Sequence, residues 1–137
     1  MIKKIILILF ISLIFETVIA QTNKQIEIFD ISKGEVLKYI KVNIGLQQDA
    51  ETFLKGITGL YVRIDPIPSE GYLVKIPLDP SFLVKNQWIN ELVDEVIIVF
   101  STREAPYLMV FDKENRPLFF TFEGDTDTFL TKLNFTP

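Results

Sequence analysis

Three apolar runs near the C-terminus decide the fold: VIIVF at 96–100, YLMVF at 107–111 and LFFTF at 118–122. Each run is rich in β-branched and aromatic residues, a composition typical of β-strands. The loops between them, 101–106 and 112–117, are too short to hold a crossover helix, which parallel strands would need. The three runs therefore predict an antiparallel meander.

The meander is apolar on both faces. The predicted register pairs Val99 with Leu108 and Val110 with Phe120. This register divides the side chains into two sets: Ile97, Val99, Leu108, Val110, Phe120 and Phe122 on one face, and Val96, Ile98, Phe100, Tyr107, Met109, Phe111 and Phe119 on the other. Because neither set is polar, both faces need a cover. We rank three covers for the second face: the segment around Trp88, a central hairpin, and a second copy of the chain.

The rest of the chain alternates between strand and helix patterns. We predict an N-terminal hairpin (26–31 and 36–42), a helix (47–59), a central hairpin (60–65 and 71–77), an irregular stretch (78–86), a short helix around Trp88 and a last helix (125–134). The first helix carries one apolar face, formed by Ala50, Phe53, Leu54 and Ile57. The fold class is α+β, an antiparallel sheet of five to seven strands with two or three helices packed on it.

The first twenty residues have the layout of a secretory signal peptide. Two lysines precede an apolar run from Ile5 to Phe15, and Val18-Ile19-Ala20 provides short residues before a cleavage point. The alternative is an uncleaved membrane anchor, but Glu16 interrupts the run before it reaches the length of a span. We predict a signal peptide at 1–20, a single mature domain at 21–137, and export to the extracellular space, periplasm or cell envelope. The abundance of Ile, Lys and Asn suggests a bacterial source.

Composition excludes several kinds of chemistry. The chain has no Cys and no His, which removes disulfides, the usual zinc sites, cysteine nucleophiles and histidine-based triads. Its 14 basic and 18 acidic side chains give a net charge of −4, and the basic residues are scattered. This balance argues against nucleic acid as a partner, because phosphate binding needs a basic stripe.

Five residues are candidates for binding: Tyr61, Arg63, Lys75, Trp88 and Phe119. In the predicted central hairpin, Tyr61 and Lys75 form a cross-strand pair beside Arg63, which is either a shallow polar platform or an ordinary solvated sheet face. Trp88 is the only tryptophan and is either a core residue or an interface anchor. Phe119 belongs to the second apolar face of the meander.

Acidic residues offer the remaining route to chemistry. They cluster at Asp94-Glu95, at Asp112 and Glu114, and in the run Glu123–Asp127. Two carboxylates hydrolyse a glycosidic bond when they flank it, and the run Glu123–Asp127 contains oxygen ligands suited to calcium. Capping of the last helix by Asp125 explains that run more simply. We predict no catalytic residue, metal site or cofactor.

The sequence favours a small exported binding or interaction module without catalytic activity. The alternative is a carboxylate-dependent hydrolase acting on cell-envelope polymers, and a third reading is an inhibitor or chaperone-like protein. The expected partner is an unidentified protein or envelope component, with a homodimer as one option. We expect no membrane span after signal cleavage.

Overall fold

The computed structural model describes residues 24–137, so the predicted signal peptide lies outside the described residues. The elements are β1 (Gln25–Asp30), β2 (Glu35–Lys41), α1 (Ile44–Lys55), β3 (Ile57–Leu60), β4 (Gly71–Lys85), β5 (Asn90–Ser101), β6 (Tyr107–Phe111), β7 (Pro117–Phe122) and α2 (Thr126–Lys132). The strands form one sheet in the order β2-β1-β4-β5-β6-β7-β3, and every neighbouring pair is antiparallel. The predicted α+β class is confirmed. No helix within 24–137 is both long and apolar enough to span a membrane.

Both helices pack on the same face of the sheet. The N-terminus of α1 is fixed by Asn43, whose Oδ1 accepts a hydrogen bond from the Leu46 amide at 2.8 Å. Asp125 caps α2 in the same way, accepting from the Thr128 amide at 3.0 Å, as predicted. The helices bury their apolar faces against alternate residues of the central strands; this main core includes Ala50, Phe53, Leu54, Phe129, Leu130, Val74, Ile76, Val96, Ile98, Leu108, Val110 and Phe120. Ile57, predicted on the α1 face, instead begins β3.

The opposite face has its own cover, residues 61–70, which we call the strap. β3 lies at one edge of the sheet and β4 in its centre, so the connection between them crosses β7, β6 and β5. The distance from β3 to β4 is four strand spacings, or about 19 Å. A ten-residue segment can span up to about 33 Å, so the strap is long enough to cross the sheet. Tyr61 and Ile67 of the strap pack on a second buried cluster formed by Ile97, Val99, Tyr107 and Met109.

The predicted register of the meander is wrong between β5 and β6. Val99 lies opposite Tyr107 rather than Leu108, a shift of one residue that moves every β5 side chain to the other face. Between β6 and β7, Leu108 rather than Val110 lies opposite Phe120, a shift of two that leaves the faces unchanged. A meander that is apolar on both faces gives the hydrophobic pattern little power to select one register.

The predicted central hairpin is also wrong. β3 pairs with β7, and β4 pairs with β1 and β5, so residues 61–65 have no strand partner in β4. The cover for the second apolar face is nevertheless supplied by the strap, which lies in the segment ranked second for that role. The stretch 78–86, predicted as irregular, belongs mostly to β4, which continues to Lys85 past a break in its pairing between Pro77 and Phe82.

The segment around Trp88 is a tight turn rather than a helix. Asn86 Oδ1 accepts hydrogen bonds from the backbone amides of Trp88 at 2.8 Å and Ile89 at 3.0 Å, a turn that joins β4 to β5. Of the apolar residues whose spacing suggested a helix, Ile89 and Val93 are buried and Leu92 is exposed, which fits the alternating side chains of a strand rather than one helix face. Trp88 packs against the main core, so it does not cover the second face.

Candidate functional site

The strap is held by a compact set of aromatic and charged contacts. The Tyr61 ring stacks on the Tyr107 ring, with centroids 3.9 Å apart and planes inclined by 10°. The Tyr61 hydroxyl donates to the Glu104 carboxylate, which also forms an ion pair with Arg63. The Tyr107 hydroxyl donates to the Pro66 carbonyl oxygen in the middle of the strap. Two side chains of the 101–107 segment thus fix three positions of the strap.

Residues 60–64 alternate between anchored and exposed side chains. The Tyr61 amide donates to the Phe119 carbonyl oxygen at 2.9 Å, which continues the β3–β7 pairing by one residue. Tyr61 turns inward onto Tyr107, and Arg63, although exposed, is paired with Glu104. The alternate side chains of Leu60, Val62 and Ile64 are 52%, 84% and 106% exposed. We call these three side chains the ridge.

Burial controls the ionisation of the central tyrosine. Tyr107 lies beneath the strap, and its desolvation, reinforced by the nearby Tyr61 hydroxyl, raises the pKa of Tyr107 to about 12. The hydroxyl therefore stays protonated at physiological pH and remains a donor to Pro66. The contact between Tyr107 and Pro66 therefore does not depend on pH in the neutral range.

A cleft of about 410 Å³ opens beside these anchors, between the strap and the loop 101–106. Its lining is mostly charged or hydroxyl-bearing: Tyr61, Arg63, Asp65, Ser69, Glu70, Ser101, Thr102, Arg103, Glu104 and Tyr107 line it, together with Pro68. Three carboxylates face two guanidinium groups, and one carboxylate, Glu104, is already neutralised by Arg63. The cleft offers no basic stripe for a phosphate backbone.

The structure brings together three of the five predicted binding residues. Tyr61, Arg63 and Phe119 meet around Tyr107, with the Phe119 ring centroid 6.3 Å from that of Tyr107. Lys75 is not among them, and its predicted pairing with Tyr61 is wrong because residue 61 lies in the strap.

Lys75 lies instead between two carboxylates on the sheet. Its Nζ is 3.3 Å from Glu27 and 3.6 Å from Glu95. Partial burial disfavours the ammonium charge, but the attraction of Glu95 and Glu27 outweighs that effect and raises the pKa of Lys75. The group is a salt-bridged row on the sheet surface. Trp88 is also apart from the cluster, in its turn against the main core.

The residues that sequence reasoning missed are Glu104, Tyr107 and the exposed ridge. Glu104 lies in a loop, and its contacts with Tyr61 and Arg63 join residues far apart in sequence, so no local pattern indicates them. The ridge was predicted incorrectly: the apolar alternation at Leu60, Val62 and Ile64 is typical of a buried strand face, but all three side chains are exposed. One clue was available: Tyr61 and Arg63, the intervening residues, are both long side chains able to make specific contacts.

The two edges of the sheet differ in how they are protected. β2, at one edge, carries Glu35, Lys38 and Lys41 along its length, and charged residues discourage pairing with another strand. β3 (ITGL), at the other edge, carries no charge. In its extension through the strap, the first charged side chain is Arg63, which is already engaged by Glu104. Within 24–137, no strand pairs with the outer side of β3.

Two of the acids singled out in the sequence, Asp112 and Asp125, have local structural roles. Asp112 accepts hydrogen bonds from the amides of Glu114 and Arg116, both at 2.9 Å, and the bond from the Arg116 amide is the main reason that its pKa is lowered. Asp125 caps α2, and neither residue lines the cleft. No group of three or more Asp and Glu side chains in the described part of the chain is arranged to hold a metal ion.

No protein-family model, curated protein or solved structure matches this chain.

Proposed function

We propose that the protein is an exported, non-catalytic interaction module that binds a polypeptide partner along the outer edge of β3 and the ridge. One observation carries this proposal: three large apolar side chains in a row face solvent while the residues between them are firmly anchored. The sequence of residues 1–20 supports export.

The exposure of the ridge has a thermodynamic cost that binding would recover. Burying a Val, Leu or Ile side chain stabilises a protein by about 1.5–3 kcal/mol relative to leaving it in water. Exposed apolar groups that are contiguous, rather than scattered, mark interaction sites. Leu60, Val62 and Ile64 are three exposed apolar side chains within five residues, at the end of β3 and the start of the strap.

The anchors make the ridge a prepared binding surface. Tyr61 and Arg63 contact Tyr107, Glu104 and Phe119, so the backbone between them is held in place before any partner arrives. A rigid surface loses less entropy on binding than a flexible one. The adjoining strand β3 lies at the edge of the sheet, and an exposed sheet edge is a surface that recruits an additional strand.

The partner chemistry follows from this geometry. An added strand satisfies the outward N–H and C=O groups of β3, and its own apolar side chains pack on the ridge. We therefore expect a polypeptide with an extended apolar segment, either in another protein of the envelope or in a second copy of this chain.

Site-specific photo-crosslinking tests the proposal. A photoreactive amino acid at position 64 should give a defined crosslinked product when the protein is produced in its natural host, and Val62→Lys in the same chain should abolish it. The control places the same photoreactive residue at position 83, where Leu83 is an exposed apolar side chain (53%) on a different surface. The absence of any product specific to position 64, or a product that survives Val62→Lys, would contradict the proposal.

The hydrolase alternative has one observation in its favour. Asp65 and Glu70 line the same cleft as Glu104, so several carboxylates share a concave site. These are not the acids that the sequence singled out. A hydrolase would lose its activity on an isolated envelope polymer in both Asp65→Asn and Glu70→Gln, whereas an interaction module would keep its crosslinking at position 64 in both variants.

A further inference from the structure

We propose that a groove at one end of the sheet, lined by Asp30, Glu70 and Thr102 among others, binds an uncharged oligosaccharide. This inference goes beyond the proposed function, because the side chains of the ridge do not line the groove. The module then has two ligands, a glycan in the groove and a polypeptide at the β3 edge.

Two neighbouring cavities form the groove. The cleft of about 410 Å³ beside the strap adjoins a second cavity of about 240 Å³. Glu70 and Thr102 line both cavities, so the two meet at these residues. The second cavity extends to Asp30 at the end of β1 and to Gly71 at the start of β4. A groove that follows the strand ends in this way has the elongated shape of a short linear oligomer.

Several side chains in the groove keep their hydrogen-bonding capacity for a ligand. The groups that anchor the strap are occupied by one another, as described above. By contrast, the side chains of Asp65, Ser69, Glu70, Thr102 and Arg103 line the first cavity and make no hydrogen bond or ion pair with another residue of 24–137. Acceptors, donors and hydroxyl groups thus converge on one concave surface, as in sites for small polar ligands.

Asp30 supplies a buried carboxylate at the far end of the groove. It is 6% exposed and is the only buried charged residue in the described part of the chain. Its Oδ1 accepts hydrogen bonds from Ser32 Oγ at 2.9 Å and from the Lys33 amide at 3.0 Å. These bonds lower the pKa of Asp30, so the carboxylate is ionised at neutral pH. Its Oδ2 accepts no hydrogen bond from the described residues and is not fully buried, so a ligand in the second cavity can donate to it.

The mixture of charges selects the class of ligand. Carboxylates only accept hydrogen bonds and a guanidinium group only donates them, whereas a hydroxyl does both. A sugar can therefore pair with Asp30, Glu70 and Arg103 at once. An anion would be repelled by the four carboxylates that line the two cavities, and a polycation would be repelled by Arg103 and could not accept its hydrogen bonds. Pro68 and the Tyr61 ring add an apolar surface for the C–H groups of a sugar ring.

Calorimetric titration with defined oligosaccharides tests the proposal. The exported protein should bind at least one of three uncharged probes: N-acetylated chitotetraose, cellotetraose and maltotetraose. Thr102→Trp places a large ring where the two cavities meet, and Glu70→Ala removes an acceptor common to both. Each should weaken binding by about tenfold or more, the effect of losing a hydrogen bond to a charged group. Thr52→Trp and Glu35→Ala are the matched controls at exposed positions outside the groove, and both should bind like the wild type.

Three results would overturn the proposal. They are no binding of any uncharged probe, equal weakening in the groove variants and their controls, and tighter binding of the polycation spermine or of sulfated cellotetraose than of the uncharged sugars. Circular dichroism of each variant establishes that it is folded. Glu70 and Thr102 are not ridge residues, so crosslinking at position 64 should be unchanged in both groove variants. The crosslink therefore tests the proposed function and the titration tests the groove, and either can fail alone.

Discussion

Replacing Phe53 with alanine tests the assignment of the main core. Phe53 lies on the buried face of α1 and is 4% exposed. Its ring makes edge-to-face contacts with Phe122 in β7 at 5.5 Å and with Phe129 in α2 at 5.4 Å. One side chain thus joins the first helix, the last helix and the strand next to the sheet edge.

The expected loss of stability follows from these contacts. Phe→Ala changes in a protein core cost about 3–5 kcal/mol, including the cavity that remains. Each aromatic pair contributes about 0.5–1.5 kcal/mol beyond the buried area. Because two such pairs are lost together, we expect about 4–5 kcal/mol, a large part of the roughly 5–15 kcal/mol total of a typical domain.

Urea denaturation followed by the fluorescence of Trp88 measures the effect. Trp88 is the only tryptophan and packs against the same core, so its emission reports on the folding of this region. With a slope of about 2 kcal/mol per molar urea, the midpoint should fall by about 2 M. Phe111→Ala is the matched control, since Phe111 is 38% exposed and should cost much less.

A small loss in the free energy of unfolding would contradict this prediction. A loss below about 1 kcal/mol for Phe53→Ala, or equal losses for the two variants, would mean that α1 does not bury this face. If the free energy of unfolding falls by the expected amount but its dependence on urea concentration also changes, the substitution has altered the denatured state.

Three further predictions concern the leader, the strap and its junction with β4. Amino-terminal sequencing of exported protein should begin at or within a few residues of Gln21, and full-length chain found only in the cytosol would contradict this. Because the pKa of Tyr107 is raised in the folded state to about 12, the folded protein holds that proton longer than the unfolded chain, so the free energy of unfolding should fall as pH rises from about 10 to 12. In Tyr107→Phe that fall should shrink, and the late step in tyrosinate absorbance should vanish. Gly71 has φ +123° and a Cβ there would lie 2.0 Å from the Phe100 carbonyl oxygen, so Gly71→Ala should cost at least about 1–3 kcal/mol in thermal or urea unfolding; Gly34→Ala, at φ +67° with open space, should cost less.

Local patterns in the sequence predicted the elements better than their pairing. The N-terminal hairpin, the buried face of α1 and the Asp125 cap each depend on neighbours within a few residues, and the structure contains all three. The strap could not be predicted, because its anchors Tyr107 and Glu104 are distant in sequence. The apolar alternation at 60–64 predicted a buried strand face. In the structure, Tyr61 and Arg63 make the tertiary contacts, and the apolar side chains between them are exposed. Of the residues predicted to bind a partner, Tyr61, Arg63 and Phe119 lie together in the structure, but around Tyr107 rather than beside Lys75.

The pairing of β3 with β7 joins two segments that are far apart in sequence. Ile57 lies opposite Phe122, so β3 has no neighbour in the sheet until nearly the whole chain is available. Contacts between residues so distant in sequence form slowly, since a long loop must close before any of them is made. During synthesis, residues 57–70 therefore remain without their sheet partners until β7 has emerged, and a nascent chain shortened before Pro117 lacks the strand that positions the ridge. We therefore expect the pairing of β3 with β7 to form late in folding.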